Sequence, residues 1–180
     1  DLIKAKATNG NIYWSLNTTE SMLVHDTDFF RSSDVVLDKN DIIFSTTHYT
    51  YSFNLDSGYL NWKKKIGSNG TPVIDGENVF FVSENGYFLN IDKKTGKIIW
   101  STNVLKDLKR KKRNTLITGY ILGSGKLYIT TLNGYLIVCS AETGKTEYFK
   151  KIGGIINSPP IISNGALYVL TRDSKILGFK

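Results

Sequence analysis

The side chains best suited to metal binding or nucleophilic chemistry are few in this 180-residue sequence: two histidines and one cysteine. His25 and His48 lack the spacing of a metal-ligand pair and are predicted to be loop and turn residues. Cys139 ends the apolar run Tyr135–Cys139 and is predicted to be a small buried side chain. With one cysteine in the chain, neither an intrachain disulfide nor a thiolate cluster can form.

Carboxylates and a glycine-rich string offer no better catalytic site. Five of the eleven aspartates fall at predicted turns or strand ends, where Asp caps its own backbone; these are Asp34, Asp38, Asp41, Asp56 and Asp75. Gly123-Ser124-Gly125-Lys126 is similar to part of a phosphate-binding loop, but Tyr120 and Leu127 stand where that loop needs Gly and Ser or Thr. This string is therefore predicted to be a hairpin turn, and the sequence predicts no enzyme, cofactor or metal site.

A basic cluster is the strongest candidate for binding. Six of the eight residues from Lys106 to Arg113 are basic, namely Lys106, Lys109, Arg110, Lys111, Lys112 and Arg113. Without them the formal net charge would fall from +7 to +1. The cluster is either a solvated loop or a docking site for an acidic protein surface or anionic lipid headgroups.

A repeated element positions these residues. A glycine followed four residues later by a large aromatic recurs as Gly10 with Trp14, Gly58 with Trp62, Gly96 with Trp100, and Gly144 with Tyr148. The glycines are 48, 38 and 48 residues apart, which indicates a unit of about 38 residues with two insertions of about ten. That length is typical of one four-stranded propeller blade.

Turn signals divide each unit into short β-branched and aromatic strands, so we expect an all-β fold. In the second full unit, 71–75, 79–83, 87–92 and 97–104 are predicted strands, and Asn85-Gly86 is predicted to form a type I′ turn. The third unit repeats this order with strands at 126–131, 135–140 and 145–152. The predicted blades are 34–66, 71–104 and 115–152, with partial blades at 1–17 and 157–180.

Two connections between blades are enlarged, Thr18–Ser33 and Leu105–Asn114. Loops tolerate insertion and carry function, so partner binding is expected there. Partial blades at both ends indicate either part of a larger ring or two copies that complete a ring together, because bare blade faces are pairing surfaces.

The stretch Asp92-Lys93-Lys94-Thr95-Gly96-Lys97-Ile98-Ile99-Trp100 resembles the tryptophan-docking motif of the quinoprotein-type (PQQ-like) β-propeller repeat family, with Asn90 at the position of the family's alanine. The other copies are more degenerate. The second copy, Asp56-Ser57-Gly58, lacks two residues before its glycine. In the fourth copy, Ser140 replaces the aspartate and Tyr148 replaces the tryptophan. In the first copy, Lys6 stands where the aspartate is expected.

The resemblance implies four-stranded antiparallel blades in which Trp14, Trp62, Trp100 and Tyr148 pack between neighbours, supported by the motif residues Asp92 and Thr95. The quinone-dependent dehydrogenases of this family use adjacent disulfide-linked cysteines, which one cysteine cannot supply. The cofactor-free BamB family is the favoured resemblance; it implies a periplasmic or outer-membrane-associated scaffold that binds other outer-membrane assembly proteins. Another cofactor-free repeat domain, such as an extracytoplasmic sensor or adhesion module, remains the alternative, and nucleic acid is not expected as a partner.

Overall fold

The computed structural model of the chain describes residues 1–17, 32–106 and 115–180. These residues form β-strands joined by turns, and none of them lies in a helix long or apolar enough to cross a membrane. The all-β fold predicted from the sequence is confirmed.

The strands form five antiparallel sheets, which we call blades 1 to 5. Blade 1 has two strands, β1 (Leu2–Ala5) and β2 (Ile12–Leu16). Blade 2 contains β3 (Val36–Asp38), β4 (Asp41–Ser45), β5 (Thr50–Asn54) and β6 (Leu60–Lys64). Blade 3 contains β7 (Val73–Asp75), β8 (Asn78–Val82), β9 (Tyr87–Asp92) and β10 (Ile98–Asn103). Blade 4 contains β11 (Ile117–Gly123), β12 (Lys126–Thr131), β13 (Tyr135–Ser140) and β14 (Thr146–Lys151). Blade 5 has three strands, β15 (Ile161–Ser163), β16 (Ala166–Leu170) and β17 (Ile176–Phe179).

Each complete blade is a meander in which consecutive strands pair, so every blade has two distinct ends. The turns after the first and third strands lie at one end, which we call the turn end. The turn after the second strand and the connection to the next blade lie at the other, the crossover end. The described residues that flank the two enlarged connections lie at the crossover end.

The hairpin at Asn85-Gly86 differs from the type I′ turn that the sequence predicts. Gly86 has a positive φ of 76° but Asn85 does not, and the Gly86 N–H donates to the Ser83 carbonyl at 2.9 Å. This is a three-residue loop with glycine in the left-handed position, not a two-residue loop. Ser124 and Gly125, with φ of 50° and 70°, do form a two-residue turn between β11 and β12, which confirms that the glycine-rich string is a hairpin.

Central strands of the blades are buried on both faces because a neighbouring blade covers each side. In β8 the run Val79-Phe80-Phe81-Val82 is buried throughout, so alternation of polar and apolar residues is lost. The largest apolar cluster spans blades 2, 3 and 4, and smaller clusters fill the spaces between blades 1 and 2 and between blades 4 and 5.

Candidate functional site

The four repeated glycines share one backbone geometry at the turn end. In each turn between third and fourth strands, the glycine N–H donates to the carbonyl four residues earlier, at 2.8–2.9 Å. The φ angles are 74°, 72°, 66° and 71° for Gly10, Gly58, Gly96 and Gly144. This left-handed conformation favours glycine, which has no Cβ to strain it.

Each tryptophan lies on the glycine of the following blade. A Cβ added to Gly58, Gly96 or Gly144 would approach the ring of Trp14, Trp62 or Trp100 to 2.9, 2.6 and 2.6 Å, respectively. The indole N–H of Trp62 also donates to the Lys93 carbonyl at 2.7 Å, and that of Trp14 to the Leu55 carbonyl at 3.2 Å. The glycine and the aromatic of the repeat therefore act across a blade boundary.

Two members of the repeat have no such partner among the described residues. A Cβ on Gly10 would meet nothing within 4 Å. Tyr148 is 44% exposed, because blade 5, which follows it, contributes three strands and no turn between a third and a fourth. The structure thus brings three of the four predicted aromatics into docking contacts and leaves Tyr148 at the surface.

The third docking contact carries an unpaired buried donor. Trp100 packs edge-on against Phe88, with ring centroids 4.8 Å apart, but its indole nitrogen has no hydrogen-bond partner. The side-chain oxygen of Asn90, which pairs with Trp100 across β9 and β10, is also buried without a partner. Asn90 is the residue at which the sequence departs from the family's alanine.

Asp92 and Thr95 brace the glycine turn of blade 3. One carboxylate oxygen of Asp92 accepts hydrogen bonds from the Thr95 N–H at 2.7 Å and hydroxyl at 2.6 Å. The hydroxyl's hydrogen bond is the main reason that the pKa of Asp92 lies below its ordinary value.

In blade 2, Asn54 stabilises the glycine turn in the same way. Its side-chain oxygen accepts hydrogen bonds from the backbone N–H groups of Asp56 and Ser57. The sequence interpretation that this copy lacks two residues before Gly58 is therefore wrong. Asn54 stands four residues before the glycine, as Asp92 does in blade 3, and no residue is missing.

An ion pair with a buried lysine and a partly exposed aspartate joins blades 2 and 3 beside this turn. The Lys93 ammonium lies 2.6 Å from an Asp38 carboxylate oxygen and 3.8 Å from one of Glu77, and the Lys93 side chain is only 6% exposed. A groove of about 410 Å³ between β3 and β7 is lined in part by Asp38 and Glu77. Lys93 already engages both carboxylates, so Asp38 pairs across the blade boundary instead of capping its own turn.

Sequence reasoning also missed a repeat of hydroxyl groups at the crossover end. Ser33, Ser68, Thr115 and Ser158 each lie in a connection between blades and hydrogen-bond to backbone at or just after the end of the second strand that follows. Ser68, for example, donates to the Val82 carbonyl at 2.7 Å. Their varied neighbours give no recognisable motif.

The residues with catalytic potential stay apart in the described part of the chain. His48 is exposed in a turn, and His25 lies outside the described residues. Cys139 is fully buried, and burial raises the pKa of its thiol to about 11. No group of three or more His, Cys, Asp and Glu residues able to hold a metal occurs in the ranges that the structure describes.

Of the basic cluster, only Lys106 is described; it is exposed at the crossover end, just after β10. The Val104 N–H donates to the Gly86 carbonyl there at 2.9 Å, and Leu105 packs on Gly86. Lys109, Arg110, Lys111, Lys112 and Arg113 lie outside the described residues.

Solved structures with the same fold include several β-propellers. BamB from Moraxella catarrhalis superposes with a TM-score of 0.74 at 16% identity, over 98% of this chain and 54% of that one. Quinohemoprotein alcohol dehydrogenase from Comamonas testosteroni gives 0.63 at 14% identity, over 76% and 28%. At these identities the likeness shows the fold, and the predicted β-propeller is confirmed.

Sequence comparison gives the family. The profile described as outer membrane protein assembly factor BamB matches residues 1–102. The protein of that name from Salmonella typhimurium is 23% identical over 176 residues, which cover 93% of this chain and 42% of that protein. The chain thus spans less than half the length of this curated relative. Its repeat, docking contacts and profile match show that the chain belongs to the family of the outer membrane protein assembly factor BamB.

Proposed function

We propose that this chain is part of a non-catalytic scaffold that binds other proteins during assembly of outer-membrane β-barrel proteins. Family membership supports the process, since the relatives' names state a role in outer-membrane protein assembly. A location in the periplasm or at the outer membrane belongs to the same proposal.

The observation that carries a binding role is the placement of the two enlarged connections. Ser32 bridges to Thr46 in the turn between β4 and β5, and Thr115 accepts a hydrogen bond from the Asn133 N–H in the turn between β12 and β13. The residues that flank both connections therefore lie at the crossover end. A family that shares its blades can vary such connections without disturbing the docking contacts, which suits them to partner recognition.

The test is a pull-down from a detergent-solubilised envelope fraction, with Lys109, Arg110, Lys111 and Lys112 replaced by Ser. A matched control replaces Lys6, Lys94, Lys97 and Lys145 by Ser. These lysines are exposed at the turn end, and their replacement removes the same amount of charge. We expect the first variant to lose captured outer-membrane assembly proteins, with a weaker dependence of binding on salt, and the control to keep them. Equal capture by both variants would exclude the basic cluster as the docking site.

The alternative within this family of folds is a sensor or adhesion module. The complete gene decides between them, because a lipobox cysteine after a signal peptide supports the assembly scaffold and a fused kinase or transmembrane helix supports the sensor. For the non-catalytic part of the proposal, incubation with pyrroloquinoline quinone and Ca²⁺ should yield no dye-linked alcohol oxidation.

A further inference from the structure

Four lysines at the crossover end have no carboxylate partner among the described residues. Lys64 ends β6 and Lys65 follows it directly, and Lys150 and Lys151 end β14; β6 and β14 are the fourth strands of blades 2 and 4. Lys64 pairs in register with Thr50 and Lys151 with Tyr135, the first residues after the turns that define the crossover end. The register thus places both lysine pairs at the crossover end.

Ion pairing is concentrated elsewhere in the molecule. Among the described residues, the lysines paired with carboxylates are Lys4, Lys93, Lys126 and Lys175, of which the first three pair on the turn-end side. None of the four crossover-end lysines has a carboxylate partner within the described ranges. Positive charge at this end is therefore available to an anionic ligand.

Exposed aliphatic side chains accompany these lysines. Leu116, in the connection to blade 4, is 64% exposed, and Ile155, in the connection to blade 5, is 44% exposed. Their carbonyls accept equivalent hydrogen bonds, from the N–H groups of Leu132 and Arg172 at 2.9 and 2.8 Å, in the turn after the second strand. The hydrogen bonds hold both aliphatic residues at the crossover end.

We propose that the crossover end binds an anionic phospholipid surface, with Lys64, Lys65, Lys150 and Lys151 over the headgroups and Leu116 and Ile155 inserted beside them. Lysine and aliphatic residues together are typical of binding at a membrane surface, where mobile lipids arrange around point charges. Protein interfaces are instead depleted in lysine and enriched in arginine and aromatic residues. The four lysines and two aliphatics fit the first description, and the interaction requires no protein partner.

The experiment is flotation of the purified 180-residue chain with phosphatidylcholine vesicles that contain 0 or 30% phosphatidylglycerol, across a salt series. One variant carries Lys64→Ser, Lys65→Ser, Lys150→Ser and Lys151→Ser. Its matched control carries Lys6→Ser, Lys94→Ser, Lys97→Ser and Lys145→Ser at the turn end, with the same net charge. A third variant carries Leu116→Ser and Ile155→Ser.

We expect the native chain to float with anionic vesicles only. Each lysine contributes about fivefold to affinity at low ionic strength, so the first variant, which lacks four, should bind about 600-fold more weakly, and the control within about threefold of native. The aliphatic variant should bind on the order of tenfold more weakly at every salt concentration, with an unchanged salt slope.

Equal losses of affinity in the lysine variant and its control would overturn the proposal, because they would show that binding depends only on net charge. Native binding to immobilised polyglutamate with none to anionic vesicles would overturn it in favour of an acidic polypeptide ligand. Neither outcome bears on the assembly scaffold, whose test is capture of proteins.

Discussion

Trp100 gives the docking contact a measurable energy. Its ring packs on Gly144 and Phe88 in the space between blades 3 and 4, so Trp100→Ala should destabilise the chain by about 3 kcal/mol, the lower end of the range for a lost buried aromatic. Tyr148→Ala, at the equivalent but exposed position, is the control and should cost less than about 1 kcal/mol. Urea denaturation monitored by circular dichroism compares the two. Equal effects would mean that docking adds nothing to the aromatic residue itself.

Gly96 tests the glycine side of the docking contact. Gly96→Ala introduces a Cβ at a left-handed φ and also 2.6 Å from the Trp62 ring, whereas Gly10→Ala introduces one at a similar φ in open space. Backbone strain alone should cost Gly10→Ala about 1 kcal/mol. Gly96→Ala should cost roughly 1–3 kcal/mol more, because Trp62 must move from a buried site. Thermal melts of both variants give the difference in stability between them. A difference of zero would show that the Trp62 ring can move aside at no cost in free energy.

Asn90 is expected to behave unlike other buried residues. Removal of a buried side chain usually destabilises, but the Asn90 oxygen has no partner, and an unsatisfied buried acceptor costs about 1–3 kcal/mol. Asn90→Ala, which restores the family's residue, should therefore leave the free energy of unfolding unchanged or raise it by about 1 kcal/mol. Equilibrium urea unfolding measures it; a loss above about 2 kcal/mol would mean that Asn90 has a partner in solution.

At the scale of the blades, the ion pair between Lys93 and Asp38 predicts a pH dependence. The hydrogen bond between them is the main cause that lowers the pKa of Asp38 from 3.8 and raises that of Lys93 from 10.5. Stability from Asp38 is present above its ordinary pKa and is lost as the pH falls through the lower folded-state value. Stability from Lys93 is present below its ordinary pKa and is lost as the pH rises through the higher one.

Asp38→Asn should therefore lower the melting temperature at pH 7, and its difference from native should shrink toward both acid and alkaline pH. Glu147→Gln is the control, since the pair of Glu147 with Lys126 lies within blade 4 and is about half exposed. It should change the melting temperature little. Thermal melts at a series of pH values measure both variants. If the difference in melting temperature between Asp38→Asn and the native chain stayed constant with pH, the ion pair of Asp38 with Lys93 would not be the source of the stability.

Blade strands were predictable where turns were strongly marked. The strands β12 and β13 match the predicted ranges 126–131 and 135–140, because Gly125, Gly134 and Gly144 mark the turns around them. The motif in blade 2 was misaligned because Asn54 replaces aspartate, and its shared role is visible only in its hydrogen bonds.

Contacts between blades could not be predicted in the same way. Lys93 pairs with Asp38, 55 residues away, and Ser68 bonds to Val82, 14 residues away. The positions of lysine and serine in the sequence follow no period that would identify such partners. Both contacts depend on how one blade packs on the next. The candidate binding cluster was found from its charge. Lys64, Lys65, Lys150 and Lys151 are far apart in the sequence and form a group only because the strand register places them at one end.

At the scale of the molecule, the two outermost blade faces are expected either to be covered by further blades of a larger ring or, in the 180-residue chain by itself, to pair between copies. Blade 5 presents Ile161, Leu170 and Ile176 on the face away from blade 4, and blade 1 presents Ile3 and Tyr13 on the face away from blade 2. Exposed apolar sheet faces of this kind are pairing surfaces. Sedimentation velocity of the 180-residue chain should show dimers or larger species that dissociate on dilution.

Leu170→Lys with Ile176→Lys should shift that distribution to monomer while the circular dichroism spectrum stays native. The control, Leu116→Ser with Ile155→Ser, changes two exposed aliphatics at the crossover end and should leave association unchanged. A stable monomer of the unaltered chain at all concentrations would contradict the prediction.

The docking of each tryptophan on the following glycine gives the row of blades a polarity. From blade 1 to blade 4 each tryptophan projects forward onto a glycine of the next blade, so the two sides of a blade are unlike and mutually complementary. A contact of this kind is heterologous: like faces brought together across a two-fold axis would set glycine against glycine. Blades joined through it can only follow one another head to tail, and the angle added by each blade decides whether the row closes into a ring.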